Sequence, residues 1–289
     1  MRQRISLSVL AAAVSLAFGP PAAIPDEMAP PAMERFVLVE LFTSQGCNLC
    51  PDAERLLGAL ADRNRRVVPI AFHVDYFNTP WRDPYSHPLC SERQREYDFV
   101  YPKPKPLEYG LYYTPMLMVD GAQSVNGRDR PGAEAAIRQA LLRNPTVALR
   151  ASLRIQQTPA IGELEVRVAP ISPLVLGRPL RIGTVLRDDG LTNRVLSGEN
   201  ANKTLVARFP ARKILLGDVT LDGPAEKALQ FAVPLNPTWT TNRLRVAVFA
   251  QDRQSGVVHQ ALDLAWPSQS HRGPASDRAT KAMKPIPIP

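Results

Sequence analysis

Cys47 and Cys50 are the residues of this chain whose type and spacing most directly suggest chemistry. They follow an apolar run from Phe36 to Phe42 and a short polar turn. After them, apolar residues recur at the three- and four-residue spacing of one helical face. The pattern therefore predicts that the two thiols lie where a buried strand passes into the N-terminus of a helix.

A helix N-terminus favours the thiolate form of a cysteine. The free N–H groups and the dipole lower the thiol pKa from about 8.5 to roughly 3.5–7.5 in such settings, and the thiolate is the nucleophile of thiol–disulfide exchange. We expect Cys47, ahead of the helix, to be the more exposed, attacking sulfur and Cys50 to be the resolving sulfur. Asp52 and Glu54 oppose a nearby thiolate, so the expected lowering of the pKa is moderate.

The strand, the Cys-x-x-Cys motif and the helix resemble the thioredoxin-like superfamily. The longer string Val-Glu-Leu-Phe-Thr-Ser-Gln-Gly-Cys-x-x-Cys-Pro is similar to the secreted bacterial family designated DUF1223. Phe72 to Tyr76 and Tyr113 to Pro115 carry the same resemblance, which extends over residues 36–265. It implies an α/β thioredoxin-like domain with a helical or loop insertion, and it assigns no substrate.

In thioredoxin-like proteins a proline with a cis peptide bond lies against the Cys-x-x-Cys motif. The resemblance gives this position to Pro115 and implies that Thr114 offers backbone groups to an extended peptide substrate. His73 and Asp75 stand at the end of the next buried strand, so we expect them near the active-site rim. The alternative is that these two residues only anchor a loop.

Glu40 is the one charge in the first apolar run. A buried carboxylate is costly unless it is protonated or paired. Thioredoxin has a buried acid at nearly the same place, so the resemblance implies that Glu40 accepts the proton of Cys50 during the resolving step. The alternative is that Glu40 points elsewhere and is paired with an arginine or lysine.

Cys90 is the third cysteine and leaves an odd thiol. We expect it to be inert and partly buried. With Cys47, Cys50 and His87 it matches the ligand count of a structural zinc site, but the Cys-x-x-Cys pair already has a complete explanation. The sequence is therefore interpreted as having no metal and no other cofactor.

The N-terminus predicts export. Residues 1–23 have a basic start and an apolar run, which is the pattern of a signal peptide, and residues 24–34 form a proline-rich linker. We expect a periplasmic or secreted protein with no integral membrane segment after signal removal. The formal net charge is +8, but the basic residues are spread through the chain, which argues against nucleic acid as a partner.

The pattern of the chain changes after residue 144. Residues 35–144 are expected to form the thioredoxin-like domain, with its insertion at about 77–110. Residues 145–266 alternate with period two, which predicts an all-β sandwich-like domain. Gly198-Glu199-Asn200 lies in a loop of this part and resembles the family without an assigned chemistry. Residues 267–289 are expected to be a disordered tail.

These features favour a thiol–disulfide oxidoreductase that acts through Cys47 and Cys50 on protein thiols or disulfides, with a redox partner protein. One alternative is a non-enzymatic thioredoxin-like binding module in which the pair is a structural disulfide. The other is a metal–thiolate binding protein. A reduction potential separates the first two, because structural disulfides lie below about −300 mV.

Overall fold

The computed structural model describes residues 33–101, 110–155 and 161–267 of the chain. Within these segments there are three α-helices, α1 (Cys50–Arg63), α2 (Pro88–Val100) and α3 (Arg130–Leu141). The same segments contain thirteen strands: β1 (Val37–Thr43), β2 (Val67–His73), β3 (Met116–Val119), β4 (Gln123–Asn126), β5 (Val147–Ile155), β6 (Ile161–Pro170), β7 (Pro179–Arg187), β8 (Leu191–Arg194), β9 (Thr204–Ala207), β10 (Ala211–Thr220), β11 (Lys227–Pro234), β12 (Arg245–Asp252) and β13 (Val258–Ala265).

The first sheet has the strand order β2-β1-β3-β4 and carries the cysteine motif at one end. Strands β1 and β2 are parallel and in register, so Thr43 is opposite His73 at their carboxyl ends. Strand alternation divides the side chains of β1 between two faces. Val39 and Leu41 pack with α1 and α3, whereas Leu38 and Phe42 belong to the core on the other face.

The remaining described strands form three further sheets. One has the order β10-β7-β12-β13, another β11-β6-β5, and the third is the two-stranded pair β8-β9. An apolar core fills the space between the two larger sheets and includes Leu164, Val248 and Trp266. The segment that joins β8 to β9 contains Gly198-Glu199-Asn200 and contacts the cysteine motif.

The fold class expected from the sequence, an α/β thioredoxin-like domain followed by an all-β sandwich-like domain, is wrong. Strands dominate the described residues and are distributed over four sheets, with only three α-helices. One continuous core combines Phe42 and Phe72 of the first sheet with Val185 and Phe249 of the second. The physical reason is that the face of the first sheet away from α1 is apolar, and the later strands cover it.

Polar contacts join the same two parts of the chain. The backbone N–H of Ala71 donates to the carbonyl oxygen of Phe209 at 2.9 Å, so residues 209–210 cover the outer edge of β2. Arg35 is ion-paired with Asp120 and donates to the side chain of Gln260. Period-two alternation identified many of the later strands but carried no information about which surface they would cover.

Several sequence predictions lie outside the described residues or are not tested by them. The signal peptide, most of the linker, residues 102–109 of the insertion and nearly all of the tail lie outside. The domain boundary at residues 144–145 stays a prediction. Within the described segments, no helix combines the length and the apolar character needed to cross a membrane.

Candidate active site

The cysteine motif occupies the junction between β1 and α1. The turn after Thr43 is closed by a hydrogen bond from the Cys47 N–H to the Ser44 carbonyl at 3.2 Å. Helix α1 then begins at Cys50, and Pro51 sits in its first turn, where an N–H has no helical partner. Both thiols are free, and the pair is not joined as a disulfide. The strand-to-helix location predicted for the motif is therefore the one observed.

The two sulfurs differ in acidity. The pKa of Cys47 is lowered to about 7, chiefly by a hydrogen bond from the Cys50 thiol, against the opposing effect of burial. The Thr114 hydroxyl and the backbone N–H groups of the helix N-terminus add to this lowering. Burial and the neighbouring Cys47 raise the pKa of Cys50 well above its ordinary value. At neutral pH the pair therefore holds a partly ionised Cys47 beside a protonated Cys50.

Cys47 is the more exposed of the two cysteines, as expected, but the difference is small. Cys47 is only 3% exposed and Cys50 is fully buried. Both thiols are buried because residues distant in sequence cover them. These residues include Thr114 and the segment between β8 and β9. The difference between the two sulfurs consequently lies in their hydrogen bonds and charges more than in their exposure.

Thr114 and Pro115 lie beside the motif, and the peptide bond between them is cis. The buried Thr114 hydroxyl has no nitrogen or oxygen partner in the described residues, and it faces the Cys47 thiol. The N–H of Gly127 donates to the Pro115 carbonyl at 3.0 Å. A Cβ on Gly127 would lie 2.8 Å from Pro115 Cβ, so this close approach requires glycine.

The segment between β8 and β9 makes hydrogen bonds to the turn that carries the cysteines. The Asn200 amide nitrogen donates to the carbonyl oxygens of Gln45 at 2.8 Å and of Cys47 at 2.9 Å. The Glu199 carboxylate accepts from the N–H of Asn48 at 2.8 Å, at the entrance of α1. Sequence reasoning assigned no chemistry to these residues, and the only signal for them was the family-like string Gly198-Glu199-Asn200.

A buried polar cluster lies beneath the motif, where the ends of β1 and β2 meet α1. His73 Nδ1 is 2.7 Å from Asp83 Oδ2, and the same oxygen accepts the N–H of Gln45 at 2.7 Å. The Thr43 hydroxyl donates to Glu54 Oε1 at 3.0 Å, and His73 Nε2 lies 4.0 Å from that oxygen. The expected rim position of His73 is not observed, because His73 is fully buried.

The charges in this cluster depend on one another. Burial raises the pKa of Glu54, which nearby His73 only partly offsets. Burial lowers the pKa of His73, but the charge and hydrogen bond of Asp83 outweigh it, so the net change is upward. The pKa of Asp83 is lowered, since His73 and two backbone N–H groups outweigh its burial. An ionised Asp83 therefore supports a protonated His73, and both face a Glu54 carboxyl that binds its proton more tightly than usual.

Glu40 lies on the other face of β1, away from α1. Its carboxylate accepts from Arg93 Nε at 2.9 Å and from the Tyr97 hydroxyl. Arg93 also donates to Gln251 at 2.6 Å, which links this cluster to β12. Glu40 shares the strand parity of Leu38 and Phe42, so alternation directs it away from Thr43 and the thiols. The structure therefore does not bring Glu40 together with Cys50, and the observed pairing is the alternative considered from the sequence.

Asp75 and Cys90 both help to hold α2 against the rest of the fold. The N–H of Asp75 donates to the Ser91 hydroxyl at 3.0 Å, and that hydroxyl donates back to the Asp75 carboxylate. Cys90 is fully buried in the core, where burial raises the pKa of its thiol to about 12. Within the described segments, no group of three or more His, Cys, Asp or Glu side chains is arranged to hold a metal ion.

Residues 38–251 match the family model described as "Protein of unknown function (DUF1223)". The chain belongs to the DUF1223 family. No curated protein matches it. These results leave assignment to the wider thioredoxin-like superfamily as a prediction.

Two solved structures share much of the fold of this DUF1223 protein. One is a structural-genomics protein from Agrobacterium tumefaciens, at 21% identity and a TM-score of 0.59, covering 82% of this chain and 97% of that one. The other is HBP35 of Porphyromonas gingivalis, at 13% identity and a TM-score of 0.60, covering 89% of this chain and 80% of that one. At these identities the likeness extends to the fold alone.

Proposed function

We propose that this DUF1223 protein is a periplasmic or secreted thiol–disulfide oxidoreductase that acts through Cys47 and Cys50 on protein thiols or disulfides. The observation that carries the proposal is the direct hydrogen bond between two free thiols in unlike surroundings. Cys47 is supported by donors, which suits an attacking thiolate, and Cys50 is buried next to it, which suits a resolving thiol. A structural disulfide requires neither the donors around Cys47 nor the deeper burial of Cys50.

The proposed exchange balances without a cofactor. The Cys47 thiolate attacks one sulfur of a substrate disulfide, a new S–S bond joins them, and the other substrate sulfur leaves as a thiolate. Cys50 then loses its proton and attacks Cys47 Sγ, which forms the Cys47–Cys50 disulfide and releases the second substrate thiolate. Two electrons pass to the substrate, and the same steps in reverse oxidise a substrate dithiol.

The surroundings of the motif suit a polypeptide substrate. Leu49 and Tyr76 are exposed large apolar side chains, at 44% and 37%, and both lie close to the thiols. Tyr76 packs against Tyr112 with ring centroids 4.6 Å apart, which extends this apolar surface. We infer that these groups contact apolar side chains of an extended polypeptide, and the proposed partners are therefore protein thiols or disulfides.

The proposed location rests on the N-terminal sequence pattern and on the chemistry. Residues 1–23 have the composition of a signal peptide. Protein disulfides persist in the bacterial periplasm and outside the cell, so an exchange enzyme finds its substrates there. A redox partner protein would restore the working oxidation state of the pair after each turnover.

Trapping tests the proposal. A Cys50→Ser variant, expressed with its native N-terminus in a bacterial host, is expected to accumulate mixed disulfides through Cys47, because the resolving sulfur is absent. The matched control is the double variant Cys47→Ser/Cys50→Ser, which keeps Cys90 and is expected to trap nothing. Equal recovery of disulfide-linked proteins from the two variants would contradict the assignment of Cys47 as the attacking sulfur.

A further inference from the structure

The buried cluster beneath the cysteine motif supplies the proton route that the resolving step requires. We propose that Cys50 loses its proton through the Thr43 hydroxyl to the carboxylate of Glu54, with His73 and Asp83 setting the charge around that carboxylate. This inference rests on the proposed function, because it concerns the step in which Cys50 attacks Cys47. It gives Glu54 the role that the sequence suggested for Glu40.

The backbone brings the three groups of the route together. Helix α1 begins at Cys50, so Glu54 stands one turn further on the same helical face. Thr43 is the last residue of β1 and points to the α1 side of the sheet, as Val39 and Leu41 do. The Thr43 hydroxyl is within hydrogen-bonding reach of the Cys50 thiol and donates to Glu54 Oε1 at 3.0 Å.

The hydroxyl of Thr43 can pass a proton on because it both accepts and donates. In the mixed disulfide Cys47 is no longer a thiolate, so the S–H of Cys50 is free to turn to a lone pair of Thr43 Oγ1 while that hydroxyl donates to Glu54. When Cys50 ionises, its proton moves to Thr43 Oγ1 and the original hydroxyl proton moves to Glu54 Oε1. The Thr43 hydroxyl then donates to the new thiolate, which is consistent with its effect of lowering the pKa of Cys50.

His73 is placed to respond to the proton on Glu54. Its Nε2 is buried, has no hydrogen-bond partner among the described residues, and lies 4.0 Å from Glu54 Oε1. Its Nδ1 is held by Asp83, which also accepts the N–H groups of Gln45 and Tyr85. A positive His73 stabilises the ionised form of Glu54. The carboxyl can therefore take up and return a proton without leaving an unpaired charge in the interior.

Several elements of the fold contribute polar or charged groups to the surroundings of Glu54. Glu54 Oε2 accepts the backbone N–H of Arg208 at 3.3 Å, from the segment that covers α1. The titratable and charged groups that face Glu54 or its partner His73 are Cys50 on α1, His73 on β2, Asp83 and Tyr85 on the following loop, and Arg212 on β10. Among the side chains that the structure describes, Thr43 is the one that is hydrogen-bonded to Glu54 and also contacts the Cys50 thiol.

The test uses the full mature protein and 5,5′-dithiobis(2-nitrobenzoate) as a small disulfide. Attack by Cys47 releases one thionitrobenzoate, at a rate that depends on reagent concentration. Attack by Cys50 on the resulting mixed disulfide releases the second, at a rate independent of that concentration. Rapid mixing of the reduced protein with the reagent therefore measures the two steps separately, over a range of pH.

Glu54→Gln is expected to leave the first phase nearly unchanged and to slow the second about 10²-fold or more. The wild-type second phase should rise with pH and level off once Glu54 is ionised. In Glu54→Gln it should keep rising about tenfold per pH unit, because hydroxide replaces the lost acceptor. Asp52→Asn removes an exposed carboxylate from the same helical turn and should leave the second phase at the wild-type rate.

Thr43 provides a second test that does not depend on the folding of Glu54→Gln. Thr43→Val keeps the shape and removes the hydroxyl, and it should slow the second phase, whereas Thr43→Ser should restore it. Equal second phases in the Val and Ser variants, or a wild-type pH profile in folded Glu54→Gln, would overturn the proton route alone. A wild-type protein that releases only one thionitrobenzoate would overturn the proposed function itself.

Discussion

The Asn200 amide donates to the backbone carbonyl of Cys47 at 2.9 Å, across 153 residues of chain. A second hydrogen bond from the same nitrogen reaches the carbonyl of Gln45 at 2.8 Å. The turn that carries the attacking sulfur is therefore held by a side chain from the segment between β8 and β9. The candidate site is complete only when the early and the late parts of the chain are folded together.

Asn200→Ala is expected to loosen this turn. The substitution removes the amide donor to the Gln45 carbonyl and one of the two donors to the Cys47 carbonyl, which also accepts the Cys50 N–H at 3.3 Å. A buried group left unpaired costs roughly 1–3 kcal/mol. We expect a lower free energy of unfolding in urea and a slower reaction of Cys47 with iodoacetamide at neutral pH.

The matched control is Asn193→Ala, since the Asn193 amide donates to the side chain of Gln45, at 2.9 Å, rather than to a backbone carbonyl of the turn. It should change Cys47 reactivity much less than Asn200→Ala does. Equal effects of the two substitutions would argue against a specific role for the bonds to the turn carbonyls.

The alkylation rate of Cys47 should follow a titration with a midpoint near pH 7, since the pKa of this thiol is lowered to about 7. Cys50→Ala should raise that midpoint, because it removes the hydrogen bond that contributes most to the lowering. Cys50→Ser keeps a donor at the same place and should raise it less. Mass spectrometry of alkylated peptides measures each site, and an unchanged midpoint in Cys50→Ala would contradict the proposed pairing.

The same pKa predicts how the stability of the reduced protein depends on pH. Cys47 has a folded pKa of about 7, below the unfolded value of about 8.5. Its contribution is therefore fully present above the unfolded pKa and is lost as the pH falls through 7. Between these values the reduced wild type should gain stability over Cys47→Ser as the pH rises. Parallel unfolding curves across that range would contradict the lowered pKa.

Glu40→Gln is expected to destabilise the fold without affecting thiol exchange. The change removes the buried carboxylate partner of Arg93 and leaves it the more exposed Glu96, at 3.5 Å. Breaking a buried ion pair typically costs about 3–5 kcal/mol. The second phase of thionitrobenzoate release should keep its wild-type rate. The double variant Glu40→Gln/Arg93→Gln removes both charges and should recover part of the lost stability. A folded Glu40→Gln protein with slow resolution would restore the role suggested by the sequence.

Cys90 should not react in the native protein. It is fully buried and burial raises the pKa of its thiol to about 12, so the reduced native protein should release two thionitrobenzoates, through Cys47 and then Cys50, and the unfolded chain three. Cys90→Ala should keep both phases of thionitrobenzoate release. Loss of either phase in this variant, with the fold intact, would mean that Cys90 takes part in the exchange.

The location of the motif was predictable from sequence because it depends on local patterns. An apolar strand, a polar turn and a helical face are enough to place Cys47 and Cys50 at a helix N-terminus, and the family-like string Tyr113 to Pro115 pointed to the cis bond before Pro115. The sequence pattern also indicates that Glu54 is buried, since it falls on the buried face of α1 between Ala53 and Leu57.

The rest of the site depends on contacts between residues far apart in the chain. The partner of Glu40 is Arg93, and no periodicity in β1 indicates which basic residue will cover its outer face. The fold class failed for the same reason: alternation predicts that a strand has one apolar face, but not which sheet will cover it. The role of Asn200 was not predicted, because a single asparagine in a loop forms no recognisable sequence pattern.

The reduction potential of the Cys47–Cys50 pair decides whether the pair can exchange with other thiols and disulfides. The protein is equilibrated in buffers of defined redox potential near neutral pH, quenched with an alkylating agent, and the disulfide fraction is read from the mass. An exchanging pair with a lowered Cys47 pKa should have a potential above about −300 mV, within reach of thiol–disulfide partners. A potential below that value, or a pair that never forms a disulfide while Cys47 is accessible to alkylation, would show that the pair is not an exchanging one.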